Sequence, residues 1–283
     1  MLDSLAALPH HLMPKQALTW FFGVMARSKS RHLAQWMIRR FIAKYGVNMA
    51  EARQPAPQSY ASFNEFFTRA LRADARPLAD ADLICPVDGA ISQCGPMHGD
   101  LIFQAKGHSY SAQALLGGDA ALAAQFVDGL FATLYLSPKD YHRIHMPCDG
   151  RLTRMIHVPG ALFSVNPASA RDMPGLFARN ERVVCMFESA HGPFALVLVG
   201  ATIVGSMTTV WHGSVNPPRP GKLREWRYED KPVVLQRGQE MGRFQLGSTV
   251  VLLFPQGPWR LNPDWQPERA IRMGESMARW LNS

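Results

Sequence analysis

The sequence predicts an α+β protein in which a mostly antiparallel β body follows N-terminal amphipathic helices. Between residues 14 and 45, apolar side chains recur at spacings of three and four, which is the period of an amphipathic helix. From residue 83 onward, short runs rich in β-branched and aromatic residues alternate with Gly and Pro, as in antiparallel sheets. The chain contains no GxGxxG or P-loop motif and does not alternate strand with helix, so a parallel nucleotide-binding fold is excluded.

The N-terminal segment is predicted to form two helices that break near Gly23 and Ser28-Lys29-Ser30. Aromatic and aliphatic residues occupy one side, and Arg or Lys the other. Residues 1–50 hold seven Lys and Arg against one Asp, a net +6 of the +8 on the whole chain. We therefore interpret residues 1–50 as membrane-association helices that bind an anionic surface. Two alternatives are a helix that packs on the body and a basic nucleic-acid patch; we expect no nucleic-acid partner.

Residues 51–80 are interpreted as a linker and a short helix. The linker ends in a helix cap at Ser62, and the helix is predicted from about Phe63 to Leu71. Residues 81–283 then form a β-rich catalytic domain, because strand-like runs recur there between turn residues. The predicted strands cover residues 101–103, 130–136, 152–157, 183–187, 194–211, 233–236 and 249–254.

Composition limits the class of protein. The chain has 283 residues, of which 47% are hydrophobic and 18% charged, so it is long and apolar enough to bury a large core. Four cysteines lie far apart without a CxxC pair, which argues against a zinc knuckle or a disulfide framework and favours a reducing compartment. No run approaches the roughly 18 to 20 apolar residues of a spanning helix, and we expect neither a membrane span nor export.

The most informative motif is Leu246-Gly247-Ser248-Thr249, set before the apolar run 250–254. Glycine has no Cβ, so the serine hydroxyl can approach the glycine carbonyl closely. Attack on that carbonyl converts the amide into an ester, and β-elimination followed by hydrolysis leaves a pyruvoyl group at position 248. The chain would thus make its own cofactor. The alternative interpretation is a turn that enters a strand.

Self-cleavage requires a base, because a free serine hydroxyl is a poor nucleophile. Histidine suits that task near neutral pH, and a carboxylate can hold its ring in the required tautomer. The candidates are Asp88 and the pair His142 and His145. Each has an alternative: Asp88 with Gly89 is a common turn pair, and both histidines could be structural. His-x2-His with Asp88 or His108 could also bind zinc, although the HExxH glutamate is absent and we expect no metal.

Three separated motifs in this order resemble the bacterial membrane-associated phosphatidylserine decarboxylases. They are Pro86-Val87-Asp88-Gly89, the run 135–150 that contains His142-Arg143-Ile144-His145, and Gly242-Arg243-Phe244-Gln245-Leu246-Gly247-Ser248-Thr249. Shorter matching stretches are residues 63–67, 105–108, 177–182 and 199–206. The resemblance runs from about residue 10 to about residue 255. It departs at Gln245, where the family often has a basic residue, and the tail after Phe254 is not diagnostic.

The resemblance implies a proenzyme that cuts between Gly247 and Ser248. The products are a β chain, residues 1–247, and an α chain, residues 248–283, which stay together as a heterodimer. In this family pattern Asp88, His145 and Ser248 drive processing. The pyruvoyl group made from Ser248 forms a Schiff base with the substrate amine and acts as the electron sink, and His142 protonates Cα after CO2 leaves.

By the same resemblance, the substrate is phosphatidylserine and the product phosphatidylethanolamine, made at the cytoplasmic side of the cell membrane by a peripheral protein. Arg179 and Arg182 offer cations for the lipid phosphate, with solvated charge as the alternative. The sequence is compatible with a homo-oligomer. One alternative function is a pyruvoyl enzyme for a soluble amino acid, against which the amphipathic N-terminus argues. Another is a lipid-binding protein or metal-dependent hydrolase that stays a single uncut chain.

Overall fold

A twisted antiparallel sheet forms the centre of the molecule. The computed structural model describes residues 25, 26, 28–201, 206–216, 221–245 and 248–281. Within these residues the largest sheet has nine strands in the order β12-β7-β8-β9-β15-β5-β2-β17, with β13 also paired to β7. Every pairing of these strands is antiparallel, so the predicted antiparallel β body is confirmed.

The element bounds are as follows. The strands are β1 (Leu83–Ile84), β2 (Gly89–Pro96), β3 (Leu101–Ala105), β4 (His108–Ser111), β5 (Leu130–Leu136), β6 (Arg143–His145), β7 (Gly150–Val158), β8 (Arg182–Ser189), β9 (Gly192–Gly200), β10 (Met207–Thr209), β11 (Gly213–Ser214), β12 (Arg224–Arg227), β13 (Val233–Leu235), β14 (Glu240–Phe244), β15 (Ser248–Phe254), β16 (Trp259–Leu261), β17 (Ala270–Ile271) and β18 (Ser276–Trp280). The helices are α1 (Arg31–Tyr45), α2 (Phe63–Phe67), α3 (Ala112–Leu115), α4 (Ala120–Ala124), α5 (Pro167–Asp172) and α6 (Leu176–Arg179), with a 3-10 turn at Pro57–Ser59.

Strand β15 is buried on both of its faces. Val250 and Leu252 belong to one hydrophobic cluster, whereas Val251 and Leu253 belong to a second cluster on the opposite face of the sheet. Side chains alternate across a strand, so a strand covered on both sides must be apolar at every position. This arrangement explains why residues 250–254 form an unbroken apolar run and why the strand could be predicted from it.

Helix α1 confirms the second of the two predicted N-terminal helices. The chain is irregular at residues 28–30, where the break was predicted, and the helix ends at Gly46, which takes the left-handed conformation with φ 65°. Ala34 and Ile38 are buried, and Phe41 packs edge-on against Phe63 with ring centroids 5.1 Å apart. The first predicted helix falls on residues 1–24, which lie outside the described residues, so the predicted membrane-binding helices are not confirmed there.

Helix α2 begins at the predicted cap. The Ser62 hydroxyl accepts a hydrogen bond from the Glu65 N–H at 3.2 Å, and the Glu65 carboxylate accepts one from the Ala61 N–H at 2.7 Å, which is a capping box. The helix ends at Phe67 and not at Leu71 as predicted. Leu71 instead forms an isolated antiparallel bridge with Ala52, and this tertiary contact extends the chain where the helix would have continued.

The β body differs from the prediction in three respects. Seven described strands that precede β15 lie outside every predicted range: β1, β2, β4, β6, β11, β12 and β14. The run 194–211 was interpreted as one strand, but β9 ends at Gly200 and β10 starts at Met207 in a separate four-stranded sheet, β11-β10-β14-β6. The tail forms β16 to β18, which had no sequence signal, and β18 pairs with both β1 and β16. Among the described helices, none combines the length and the apolar character that a membrane span requires.

Candidate active site

Ser248 is the first residue of β15, at the centre of the large sheet. It is opposite Leu136 of β5 on one side and Gly200 of β9 on the other. The residue is fully buried, and its Oγ has no hydrogen-bond partner among the described residues. Burying an unpaired hydroxyl costs free energy, so this side chain is unfavourable as a purely structural element. Gly247 lies outside the described residues.

Asp88 immediately precedes β2, and its contacts hold it in one orientation. The carboxylate accepts hydrogen bonds from the Arg76 guanidinium, from Nε to Oδ1 at 2.9 Å and from Nη2 to Oδ2 at 2.5 Å, and from the Met273 N–H at 2.9 Å. Arg76 also binds the Glu51 carboxylate at 2.8 Å. A Cβ at Gly89 would lie 2.2 Å from the Tyr135 carbonyl oxygen. Gly89 therefore allows β2 to approach β5 closely and does not serve as a turn.

His145, in β6, is held through both ring nitrogens. Nδ1 lies 2.8 Å from the Gly238 carbonyl oxygen, and Nε2 lies 3.0 Å from the Tyr141 hydroxyl. A carbonyl can only accept, so this network assigns the ring proton to Nδ1 and leaves Nε2 as the acceptor of the Tyr141 hydroxyl. Burial raises the pKa of Tyr141, which keeps the phenol protonated. Burial also lowers the pKa of His145, so its imidazole is held neutral.

His142 lies three residues earlier and has a free ring nitrogen. Its side chain is fully buried, with the ring 4.1 Å from that of Phe67. Nδ1 lies 2.9 Å from the Asp140 carbonyl oxygen, whereas Nε2 has no partner in the described part of the chain. Burial lowers the pKa of His142 to about 3. The ring is therefore neutral near pH 7, with its proton on Nδ1 and an unprotonated, unpaired Nε2.

Two sheets carry the four predicted residues: Ser248 and Asp88 lie in or next to strands of the large sheet, and His142 and His145 lie next to and in β6 of the four-stranded sheet. Among the described residues no hydrogen bond links any two of Asp88, His142, His145 and Ser248. Ser248 and the start of β2 flank the end of β5 on opposite sides, which places their backbones roughly 10 Å apart at normal strand spacing. Asp88 is close enough for its charge to act on the pKa of His145.

His142 is linked to the strand that precedes Ser248. The Phe244 N–H donates to the His142 carbonyl at 3.1 Å, and Ser248 follows four residues later. That stretch spans at most about 14 Å. The zinc alternative has no cluster in support, since no group of three or more His, Cys, Asp or Glu within the described ranges is arranged to hold a metal.

A cleft of about 950 Å³ opens beside these residues. Asp88 and Tyr141 line it, together with Arg69, whereas Phe103 and Lys106 line another part of its wall. The described residues Ser248, His142 and His145 are not among its lining residues; the Tyr141 hydroxyl connects the cleft to His145. The cleft therefore combines charged and apolar lining next to the buried candidate site.

The two arginines predicted to bind lipid phosphate have other contacts. Arg182 is buried and donates from Nε, Nη1 and Nη2 to the carbonyl oxygens of Leu115, Ala178, Asn180 and Ala114. Four of its five N–H groups are thus used within the fold. Arg179 is exposed and lies over the Phe163 ring at 5.1 Å. Neither residue lines the cleft.

Three residues that hold or border the site were missed by sequence reasoning. Arg76 binds Asp88, Gly238 binds His145, and Arg69 lines the cleft. Of these three residues, only Arg69 lies beside a pattern that the sequence shows, because it follows the capped helix α2 within two residues. Gly238 is 93 positions from His145, and no local pattern reports a contact over that separation.

Comparison with known proteins identifies the family of the chain. A family model described as phosphatidylserine decarboxylase matches residues 63–279, and a second model, described as PSD, matches residues 5–46. A relative from Variovorax paradoxus (strain S110), named phosphatidylserine decarboxylase proenzyme, is 68% identical over 282 residues and covers 100% of both chains. Relatives of the same name from Albidiferax ferrireducens (99% of this chain, 98% of the relative) and Acidovorax ebreus (98% of each) are 68% and 67% identical.

These matches place the protein among the carboxy-lyases, enzymes that remove CO2 from their substrates. The chain belongs to the phosphatidylserine decarboxylase family.

Proposed function

We propose that this chain is a proenzyme that cuts itself between Gly247 and Ser248 and then converts phosphatidylserine to phosphatidylethanolamine and CO2. The observation that carries the proposal is the buried, unpaired hydroxyl of Ser248 at the start of β15, beside a cleft with charged and apolar lining. The family match and the proenzyme names of the relatives support the same reaction.

A pyruvoyl group fits the site of Ser248. Conversion replaces the hydroxymethyl group with a methyl group, so the buried donor that has no partner is lost. The methyl group would lie in a fully buried position between two strands, where apolar atoms are favoured. Once formed, the pyruvoyl carbonyl supplies a site for the substrate amine and an electron sink for decarboxylation.

For processing, we assign the base to His145 and its electrostatic support to Asp88. The neutral imidazole has the required tautomer, because Nδ1–H is held by the Gly238 carbonyl and Nε2 is an acceptor. To take the proton of Ser248, Nε2 of His145 must release the Tyr141 hydroxyl and accept a hydrogen bond from the Ser248 hydroxyl instead. The charge of Asp88 favours the protonated imidazole that results.

For decarboxylation, we assign proton transfer to His142. Its Nδ1–H is tied to the Asp140 carbonyl, so the unpaired Nε2 is the nitrogen that can take up and release a proton. The substrate ammonium must lose a proton before its nitrogen can react, and Nε2 can hold that proton and deliver it to Cα. Because burial lowers the pKa of His142 to about 3, its Nε2 is unprotonated near pH 7 and is free to accept a proton from the substrate first.

The membrane location is part of the proposal. The substrate is a bilayer lipid, and helix α1 exposes Trp36, Arg39 and Arg40. Aromatic and basic side chains on an exposed helix suit the interface of an anionic membrane. We place the enzyme peripherally at the cytoplasmic side of the cell membrane, as a heterodimer of its own α and β chains. Further assembly into a homo-oligomer is compatible with this proposal.

The test of self-cleavage is the intact mass of the purified protein. We expect the wild type to separate under denaturing conditions into residues 1–247 and a small fragment, residues 248–283, with a blocked N-terminus. Ser248→Ala should remain one chain. Thr249→Val is the matched control, because Thr249 is the next residue and its buried hydroxyl is also unpaired among the described residues. It should cleave normally. A wild type that stays intact and fully active would refute the proposal.

The roles of the two histidines are separated by reading cleavage and turnover on the same variants. His145→Ala and Asp88→Asn should accumulate uncut precursor, because loss of the base or its support slows processing by orders of magnitude. His142→Ala should still cleave but turn over phosphatidylserine at least about a hundredfold more slowly, the usual loss for a missing general acid. A cleaved, fully active His142→Ala enzyme would exclude His142 from the reaction.

A further inference from the structure

Arg69 is a nearly buried cation in the wall of the cleft, with most of its donors unused. The side chain is only 4% exposed. Nη2 donates to the Lys139 carbonyl oxygen at 3.1 Å, but Nε and Nη1 have no acceptor among the described residues. The guanidinium lies over the Phe66 ring at 5.5 Å. Four of the five N–H groups of this positive charge therefore lack an acceptor among the described residues, in a side chain that lines the cleft.

Such an arrangement is unfavourable for the fold itself. A buried charge without a paired anion is costly, and burial lowers the pKa of Arg69. Two other arginines with little exposure have their donors paired. Arg76 is bound by the Asp88 and Glu51 carboxylates, and Arg182 by four carbonyl oxygens. The unused donors of Arg69 thus point to an anionic ligand that supplies the missing acceptors.

Arg69 also lies near the residues assigned to catalysis. Its charge contributes to the low pKa of His142, and the charges of Asp88 and Asp140 act in turn on Arg69. An anion bound by Arg69 would therefore sit within electrostatic range of His142. The guanidinium is planar and presents paired donors, which match two oxygens of a phosphate or a carboxylate.

We propose that Arg69 binds the phosphodiester of the phospholipid substrate and so anchors its head group beside the reacting centre. This inference rests on the proposed function. The substrate also carries a carboxylate, but an arginine on that group would stabilise the charge that leaves as CO2 and would raise the barrier. The phosphodiester keeps its charge throughout the reaction, so binding it holds the substrate without opposing the chemistry.

The test compares substrate and product, because phosphatidylethanolamine retains the phosphodiester and lacks the carboxylate. Self-cleaved full-length wild type, Arg69→Met and Arg72→Met are assayed with short-chain phosphatidylserine, and short-chain phosphatidylethanolamine is added as inhibitor. Methionine fills a similar volume without charge. Arg72 is the control, since its side chain is 55% exposed, pairs with Asp74 and does not line the cleft.

We expect Arg69→Met to cleave and to be at least as stable as the wild type, because a costly buried charge is removed. Its KM for the substrate and its inhibition constant for the product should rise by the same factor, about ten- to a hundredfold for lost charge-assisted hydrogen bonds. Arg72→Met should change neither constant.

Two results would overturn the proposal. A rise confined to phosphatidylserine would assign Arg69 to the carboxylate, and unchanged constants for both lipids would show that it contacts neither. If Arg69→Met does not fold, Arg69→Lys, which keeps the charge but loses the planar pair of donors, must show the same parallel weakening. A wild type that neither cleaves nor turns over phosphatidylserine would instead refute the proposed function, so the two failures are distinguishable.

Discussion

The three titratable side chains of the candidate site are each oriented by a neighbour that is not itself one of the four predicted site residues. Arg76 fixes Asp88, the Asp140 carbonyl fixes His142, and the Gly238 carbonyl fixes His145. Both imidazoles consequently carry their proton on Nδ1 and are neutral, since burial lowers both pKa values. The structure thus prepares two proton acceptors within one region, and they differ in the partner at Nε2.

The buried His142 should make the protein sensitive to acid. An unfolded histidine titrates near pH 6.5, whereas the pKa of His142 in the folded protein is about 3. Between these values the unfolded chain binds the extra proton, so the free energy of unfolding decreases as the pH falls below about 6.5, by up to about 1.4 kcal/mol per pH unit from this group.

The measurement is urea unfolding between pH 4 and 8 in a Ser248→Ala background, where the chain is expected to stay whole. His142→Asn should flatten the acid limb, because Asn can still donate to the Asp140 carbonyl but does not titrate. The free energy of unfolding should still fall somewhat with pH in this variant, since the pKa of His145 is also lowered. Equal slopes with and without His142 would contradict the assigned protonation state.

At this scale the sequence predicted which chemical groups act but not how they are held. Asp88, His142, His145 and Ser248 could be proposed because each lies in a short motif. The predicted Asp88–His145 contact is replaced in the structure by Arg76 at Asp88 and by the Gly238 carbonyl at Nδ1 of His145. Such choices depend on distances between segments that are remote in sequence, which no local pattern encodes.

Among the elements, the turn between β13 and β14 has a specific backbone requirement. Gly238 has φ +81°, and a Cβ there would lie 2.6 Å from a methyl carbon of Leu78. Its carbonyl accepts from His145, and its N–H donates to the Met146 carbonyl at 2.9 Å. This single residue therefore connects the turn to the strand that carries the proposed processing base.

Gly238→Ala should destabilise the fold and slow self-cleavage. A left-handed alanine costs roughly 1–2 kcal/mol, and relief of that strain at φ +81° shifts the turn whose carbonyl holds His145. Gly213→Ala is the matched control, because Gly213 also has a positive φ (+76°) but nothing within 4 Å of a Cβ. The control should lose stability by thermal denaturation yet cleave at the normal rate. Equal cleavage rates for both variants would contradict the role of the turn.

Elements were predictable where the pattern was local. The apolar run 250–254 of β15 and the helix cap at Ser62 of α2 identify themselves in the sequence. Strands β16 to β18 were missed because they are only two to five residues long, and β17 and β18 pair with β2 and β1, which are far away in sequence. The run 194–211 was predicted as one strand but forms two, because its second part pairs with β14 in another sheet.

For the whole molecule, the distribution of charge predicts how membrane binding responds to salt and mutation. Each basic residue at an anionic surface contributes about 1 kcal/mol. Arg39→Glu with Arg40→Glu, on the exposed side of α1, should therefore weaken flotation with anionic vesicles at least about tenfold, and binding of the wild type should fall as salt is raised.

The control for this experiment has the same change in net charge on the β body. Arg151→Glu with Arg260→Glu alters two exposed arginines of β7 and β16. It should leave vesicle binding close to that of the wild type. Equal loss in both double variants would indicate a response to net charge alone, and would contradict a specific contact through α1.

The central place of β15 has a consequence for the lifetime of the molecule. The strand pairs over seven residues with β5 and over six with β9, and the chain that follows supplies β17 and β18 to two different sheets. A cut before Ser248 would leave the pairings from Thr249 onward intact, so the fragment would remain in place. Refolding from two separate chains would, however, require an encounter that the uncut precursor never needed. The mature enzyme would then keep a fold that only its precursor could readily reach. The lifetime of that fold would depend on how slowly it unfolds and not on an equilibrium between folded and unfolded chains.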